Sequence, residues 1–152
     1  PLRLVGSEMC IRDRYSNTLM SQWMKDIVWN NEGLLPVIVQ DRSSDKILMF
    51  AWMNNESLKL SVQQKKAVYW SRSRQKLWVK GEDSGNFQTI EDMFLDCDKD
   101  VLLIKVKQEG GISCHTGRES CFYNRVNLTT NLIEINEKVL KDPKEMYKKN
   151  ER

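Results

Sequence analysis

The first clear pattern along the chain is a pair of apolar runs separated by a polar connection. The turn-forming sequence at residues 30–33 leads into an apolar run at 34–40, whose β-branched residues are typical of a strand. A polar stretch follows at 41–46, and a second apolar run occupies 47–52. This pattern predicts two strands that pair as a hairpin.

A helix is predicted directly after the second run. Asn54 or Asn55 can cap it, because an Asn side chain accepts a hydrogen bond from the free amides of the first helical turn. Leu58, Leu60 and Val62 then continue the helix to about residue 66. Further short strands are predicted at 68–70, 77–79, 89–95 and 101–106. This β-rich order with one or two helices favours an α+β fold or a small barrel.

The two ends of the chain differ from the region between them. Residues 1–14 show neither a helical nor a strand period, so we expect either vector-derived sequence or a disordered arm and set Cys10 aside. Residues 15–130 are expected to form the single functional domain. Residues 131–152 form a charged, partly helical tail in which Pro143 limits any helix.

Composition places the chain among soluble globular proteins. It has 152 residues, of which 40% are hydrophobic and 30% charged, a balance that excludes a disordered chain. The 24 Lys and Arg against 21 Asp and Glu give a net charge of +3, which by itself is too small to indicate a nucleic-acid partner. No apolar run approaches the roughly 18 residues of a membrane span.

Cysteine usage is more informative than composition. Cys97, Cys114 and Cys121 lie close together in the sequence, and the only histidine, His115, follows Cys114 directly. The N-terminus shows no basic region followed by an apolar stretch, so we expect no secretion and no disulfide framework. Clustered thiols in such a chain indicate metal binding or catalysis.

Charge is divided unevenly between two neighbouring segments. Residues 64–81 carry basic side chains and no acid, whereas residues 82–100 carry acidic side chains and one lysine. Arg72 and Arg74 alternate with serines, a donor set that matches phosphate oxygens. The glycine-flanked turn at 81–85 adds backbone amides that could cradle a phosphate. The alternative interpretation is a solvated basic hairpin.

A second chemical feature is the aspartate triplet Asp96, Asp98 and Asp100. In an extended segment alternate residues share a face, so the three carboxylates would converge while Cys97 points away. Converging carboxylates favour a hard cation such as Mg²⁺ or Ca²⁺. The spacing is not that of an EF-hand, because the required Gly and Glu positions are filled by Val101 and Lys107. The alternative is an ordinary acidic loop before a strand.

A third feature is the set of three thiols at Cys97, Cys114 and Cys121, which suits zinc. Three protein ligands with an open fourth position are typical of catalytic zinc, which lowers the pKa of a bound water. The alternative is a set of buried, unligated thiols. Spacing alone leaves His115 open as a fourth ligand, a general base or a structural residue.

Several motifs occur in order between about residue 33 and residue 126. They read A-W-M-N at 51–54, S-R-S-R at 71–74, L-W-V-K-G-E at 77–82, S-G at 84–85, D-C-D-K-D at 96–100, C-H-T-G at 114–117 and S-C-F at 120–122. This series resembles the phosphoribosyl-AMP cyclohydrolase family, in its standalone form. Trp70 and Ser113 stand where the family is expected to have other residues, and neither is a candidate ligand.

The resemblance implies a cytoplasmic, intertwined homodimer with a β-rich pseudo-barrel of mixed or antiparallel strands. It implies a zinc site shared between subunits, with Cys97 of one chain joining Cys114 and Cys121 of the other. The magnesium ligands that it implies are Asp96, Asp98 and Asp100. The implied activity is that of a metal-dependent cyclic amidine hydrolase of histidine biosynthesis, which opens the adenine ring of phosphoribosyl-AMP at the N1–C6 bond in the third step of the pathway.

On this interpretation zinc-activated water attacks C6, which substitution at N1 already makes electrophilic. His115 is the candidate for moving a proton between the water and the departing ring nitrogen. Magnesium holds phosphate or ribose oxygens of the substrate. The residues expected to bind the substrate are Arg72, Arg74, Lys76, Lys80 and Ser84. Nucleic acid and membrane are not expected as partners.

Two functions of other classes remain as alternatives. A zinc-stabilised nucleic-acid-binding module would use the basic segment with Tyr69, Trp70 and Trp78 as stacking surfaces, but it gives no reason for the aspartate triplet. A hydrolytic nucleobase deaminase also uses zinc-activated water. Its His-x-Glu and Pro-Cys-x-x-Cys signature is missing from this sequence.

Overall fold

Strands dominate the computed structural model, which describes residues 22–147. The strands are β1 (Leu35–Asp41), β2 (Ile47–Met53), β3 (Val68–Ser71), β4 (Lys76–Val79), β5 (Gln88–Leu95), β6 (Leu102–Gln108), β7 (Asn124–Asn127) and β8 (Leu132–Ile135). The helices after β1 are α1 (Asn55–Gln64), a 3₁₀ turn (Glu109–Gly111) and α2 (Pro143–Met146). No helix within residues 22–147 is long and apolar enough to cross a membrane. The expectations for residues 1–14 and Cys10 lie outside the described residues.

The central sheet has four strands in the order β2-β1-β6-β5. β1 pairs with β6 in parallel, and the other two pairings are antiparallel. β3 and β4 form a separate hairpin that packs beside β2 and is joined to β5 by a bridge between Lys66 and Thr89. The hairpin therefore approaches both edges of the sheet. The predicted α+β fold with mixed and antiparallel strands is confirmed.

The core lies on the inner face of the two central strands. Leu35, Val37 and Val39 of β1 alternate with half-buried neighbours, as expected for a strand with one face turned inward. Leu102, Ile104 and Val106 of β6 repeat this alternation and are completely buried. Leu58 covers the same core from α1. These residues hold the sheet rigid beneath the loops that follow its strands.

The start of α1 is fixed by a reciprocal pair of hydrogen bonds. The Asn54 side chain accepts from the Ser57 amide at 2.8 Å, and the Ser57 hydroxyl accepts from the Asn54 amide at 2.9 Å. Two of the free amides at the helix start are satisfied in this way. Of the two caps that the sequence allowed, Asn54 is the one used. The helix ends at Lys65, whose φ of 53° lies in the left-handed region.

The end of the chain contains a strand that its charged, weakly helical pattern does not predict. β8 lies in the segment from residue 131 onward and pairs with β7 as a hairpin. Helical structure is confined to the four residues of α2 within the described part of this segment. The β8 side chains are all exposed, so no pattern of buried and exposed positions marks the strand in the sequence.

Replacing Asn54 with Ala should lower the free energy of unfolding by about 1 kcal/mol, because the Ser57 amide loses its acceptor. Urea unfolding measures the difference, provided that the dependence of the unfolding free energy on urea concentration is the same in both proteins. Asn55→Ala, one residue later and exposed, is the matched control and should cost less than about 0.5 kcal/mol. Equal losses in the two variants would show that Asn54 is not the functional cap.

Candidate active site

One pocket of about 240 Å³ brings together distant parts of the chain. Its walls come from the end of β4 and the turn after it, from the loop after β6 and from the end of α2. The lining residues with the most useful chemistry are Arg74, Lys80, Ser84, His115, Cys121 and Tyr147. Part of the predicted anion-binding segment and part of the predicted cysteine site therefore meet in a single cavity.

The turn at residues 81–85 shapes one wall of this pocket. The Gly85 amide donates to the Gly81 carbonyl at 2.8 Å and closes the turn. Gly81 has a φ of +88°, and a Cβ at this position would lie 2.4 Å from the Phe87 amide nitrogen. Only glycine permits both the conformation and the approach. The tight turn brings Ser84 to the pocket.

The segment from Cys114 to Cys121 folds back on itself and is fastened to the sheet. The Cys114 amide donates to the Arg118 carbonyl at 3.0 Å, and the Gly117 amide donates to the Cys114 carbonyl at 3.0 Å. The Cys121 amide then donates to the Leu48 carbonyl of β2 at 2.7 Å. As a result the Cys121 thiol lies near the Cys114 thiol, whose sulfur is 3.0 Å from the Thr116 hydroxyl.

Lys80 lies next to the paired thiols. It is 8% exposed, and its ammonium donates to the Ser113 carbonyl at 2.5 Å. Burial lowers the pKa of Lys80, while the neighbouring Cys121 and Cys114 act in the opposite direction. Burial and the adjacent Cys114 raise the pKa of Cys121 to about 12, and the charge of Lys80 partly offsets this rise. Paired thiols beside a cation fit a soft divalent metal, which favours their deprotonated form.

The third predicted zinc ligand lies elsewhere in the chain. Cys97 is exposed in the turn before β6, whereas Cys114 follows the far end of that strand. A strand of seven residues spans about 20 Å, and one zinc ion joins thiolates at about 2.3 Å each. Neither Cys97 nor His115 forms a close three-ligand group with Cys114 and Cys121 within residues 22–147.

The three aspartates do converge, with ligand atoms all within 4.8 Å of one another. The predicted reason was wrong, because residues 96–100 form a turn and not an extended segment. Asp96 holds the turn by accepting from the Asp100 and Val101 amides at 3.0 and 3.1 Å. Lys99, at a φ of 61°, reverses the chain. The turn therefore folds the carboxylates together.

The close approach of the three carboxylates shifts the pKa values of two of them. Hydrogen bonding to Asp98, with the negative charges of Asp98 and Asp96, raises the pKa of Asp100. Burial works to raise the pKa of Asp96, but the amide hydrogen bonds from Val101 and Asp100 outweigh it and lower that pKa. The oxygen-only donor set and the mutual repulsion fit a hard cation such as Mg²⁺.

Other predicted binding residues lie outside the pocket. Arg72 stacks over the Trp52 ring at 4.7 Å and lines a separate surface cavity, and Lys76 is exposed on β4. Tyr69 cannot serve as a nucleic-acid stacking surface because it is completely buried and donates to the Gln88 side chain at 2.5 Å. Sequence reasoning missed Tyr147, because nothing in the local pattern links α2 to the pocket.

Comparisons with known proteins show which family the chain resembles. A sequence model described as phosphoribosyl-AMP cyclohydrolase matches residues 49–123, which include both cysteine-bearing segments. The phosphoribosyl-AMP cyclohydrolase of Cellvibrio japonicus is 53% identical over 84% of this chain and all of its own length. The enzyme of Nitrosomonas eutropha is 53% identical over 85% of this chain and 98% of its own length. The enzyme of Thioalkalivibrio sulfidiphilus is 54% identical over 82% of this chain and 94% of its own length.

Gly81→Ala should destabilise the protein more than Gly85→Ala. Both positions have a positive φ, so each substitution costs about 1–2 kcal/mol of backbone strain. At Gly81 the added Cβ also meets the Phe87 backbone, whereas at Gly85 no atom lies within 4 Å. We expect the loss at Gly81, measured by urea unfolding, to be at least about twice that at Gly85. Similar losses would contradict the close approach.

Proposed function

The chain belongs to the phosphoribosyl-AMP cyclohydrolase family, and from this membership we propose that it hydrolyses phosphoribosyl-AMP in histidine biosynthesis. In the proposed reaction water adds to C6 of the adenine ring and the N1–C6 bond breaks. The oxygen of the water becomes the oxygen of a carboxamide, and a proton is delivered to N1. The observation that carries this proposal is the single pocket that joins Lys80, Ser84 and His115 to Cys121.

Zinc is proposed as the metal of the cysteine site, held by Cys114 and Cys121 with Cys97 from a second chain. The support for zinc is the chemistry of the donors, which are two neighbouring thiols. The ammonium of Lys80 lies next to them and offsets part of the negative charge that they carry once deprotonated. Zinc bound there supplies Lewis acidity, which makes water a competent nucleophile near neutral pH. Lys80 also positions the loop through its hydrogen bond to Ser113.

His115 is proposed as the residue that moves the proton. It is exposed to the pocket directly after Cys114, so it can reach a substrate bound against the cysteines. Imidazole both accepts and donates a proton near neutral pH, so one side chain can take the proton from water and deliver it to N1.

Phosphate recognition is proposed for Arg74, Lys80 and Ser84, which line the same pocket. Arg72 and Lys76 are left out of this set because they lie away from it. Magnesium is proposed on the carboxylates of Asp96, Asp98 and Asp100. Because this turn adjoins Cys97, a second chain that contributes Cys97 would bring the aspartates close to the bound phosphates.

A homodimer with a shared site is proposed on two independent grounds. Cys97 lies at the opposite end of β6 from the other thiols, so one chain does not assemble the ligand set. The β7–β8 hairpin also exposes large apolar side chains, and an isolated two-stranded hairpin is marginally stable without a packing partner. These side chains are Val126, Leu128, Leu132, Ile133 and Ile135. A cytoplasmic location is proposed because the free thiols require a reducing compartment.

The proposed function is tested by incubating the protein with phosphoribosyl-AMP and following the absorbance change as the purine ring opens. The metal-depleted protein should be inactive, zinc alone should give weak turnover, and zinc with magnesium should give full turnover. His115→Ala should lower kcat by about 100-fold or more if the imidazole moves the proton. No ring opening by folded protein that holds both metals would reject the proposed activity.

Mixing two inactive variants tests the shared site. Cys97→Ser and Cys114→Ser should each lose zinc and activity, because each removes a thiolate ligand. After the two are refolded together, about half of the dimers are mixed, and each mixed dimer holds one intact site. About a quarter of the original activity should therefore return.

Cys10→Ser is the matched control, and it should change neither zinc content nor turnover. A refolded, dimeric mixture that stays inactive would reject the shared site without rejecting the hydrolase activity. Full zinc retention in Cys114→Ser would instead reject the ligand assignment.

A further inference from the structure

Residues 137–147, here called the C-terminal strap, run along the loop that carries Cys114 and Cys121. The Leu140 amide donates to the Gly117 carbonyl at 2.8 Å, and the Arg118 side chain donates to the Glu137 carbonyl at 3.0 Å. The Glu137 carboxylate accepts from the Ser120 amide at 3.2 Å and forms an ion pair with Lys46. The strap is therefore attached to the loop at several points between the two cysteines.

The contact at Gly117 shows that this docking is specific. Gly117 has a φ of +82°, and a Cβ placed there would lie 1.9 Å from the Lys141 carbonyl oxygen. No other residue type leaves room for the strap at this point. The position of the strap thus depends on a glycine within the cysteine loop itself.

The far end of the strap is fixed by α2. Asp142 caps this short helix by accepting from the Lys144 amide at 2.9 Å, and Pro143 occupies its first turn. Met146 is 6% exposed and anchors the helix against the body of the protein. Tyr147 follows directly, so its position at the pocket is set by the anchor one residue earlier.

Tyr147 stands in the pocket wall with Lys80, Ser84 and His115. Tyr147 is 43% exposed and lines the cavity that the proposed substrate would fill. The ordinary pKa of a phenol, about 10, already keeps Tyr147 protonated at neutral pH, and burial with the nearby Cys114 and Asp83 raises this pKa further. The pocket therefore contains the phenol hydroxyl of Tyr147 as an uncharged donor, in addition to Ser84 and the cationic side chains.

We propose that Tyr147 is a substrate-binding residue whose phenol hydroxyl donates a hydrogen bond to an oxygen of the phosphoribosyl groups. This inference rests on the proposed function. The acceptor is assigned to the phosphoribosyl part because Tyr147 lies near Asp83, which adjoins Ser84 in the turn proposed to bind phosphate. In this arrangement the strap adds a second hydroxyl donor to the pocket, beside that of Ser84.

The test compares Tyr147→Phe with Tyr147→Ala and with Lys144→Ala, an exposed position on α2 that serves as the control. Tyr147→Phe removes only the hydroxyl and should raise KM about fivefold, with kcat changed by less than about twofold. Tyr147→Ala also removes the ring and should raise KM about 20-fold or more. Lys144→Ala should match the unaltered protein in both constants.

A binding measurement separates this inference from the proposed activity. Trp78 lines the pocket, so its fluorescence can report equilibrium binding of phosphoribosyl-AMP whether or not the ring is opened. Tyr147→Phe should weaken that binding by the same factor of about five. Unchanged KM and unchanged binding in Tyr147→Phe would overturn the role of Tyr147, even with normal turnover. Absence of turnover with the expected loss of binding would leave this inference standing and reject the hydrolase activity.

Discussion

The parallel pairing of β1 with β6 is the constraint on which the rest of the structure depends. Val39 lies opposite Ile104 in this pairing, and both side chains are completely buried. Parallel strands cannot be joined by a tight turn, so the chain between them must build the outer strands, α1 and the β3–β4 hairpin. β1 and β6 end on the same side of the sheet, where β2 begins and the cysteine loop attaches. The aspartate turn leads into β6 at the opposite end of the strands.

The elements that the sequence predicted well are those that bury one face. β1, β2 and β6 each carry apolar residues on the face that they bury, so their hydrophobic pattern reveals them. The helix α1 buries Ser57, Leu58 and Ser61, and it is its Asn cap that reveals it. The β7–β8 hairpin is mostly exposed and carries no such pattern. Its strands depend on pairing with each other, which a local pattern of apolar residues does not report.

The structure brings some of the predicted site residues together and separates others. Grouping Asp96, Asp98 and Asp100 was possible because three like charges so close in sequence need a physical reason. Their turn was missed, since it depends on Lys99 adopting a left-handed backbone conformation that few lysines adopt. Arg72 was grouped with Arg74 by sequence alone, yet neighbouring residues beyond the end of a strand can face different cavities.

The attachment of the cysteine loop to β2 has a consequence for the protein's behaviour in a crowded solution. β2 is an edge strand of the central sheet, and an uncovered edge offers its carbonyls to strands of other molecules. Ser120 and Cys121 occupy two of these acceptors, donating to Ile47 and Leu48 at 2.8 and 2.7 Å. The segment that positions a candidate metal ligand thereby shields the start of this edge from intermolecular strand pairing.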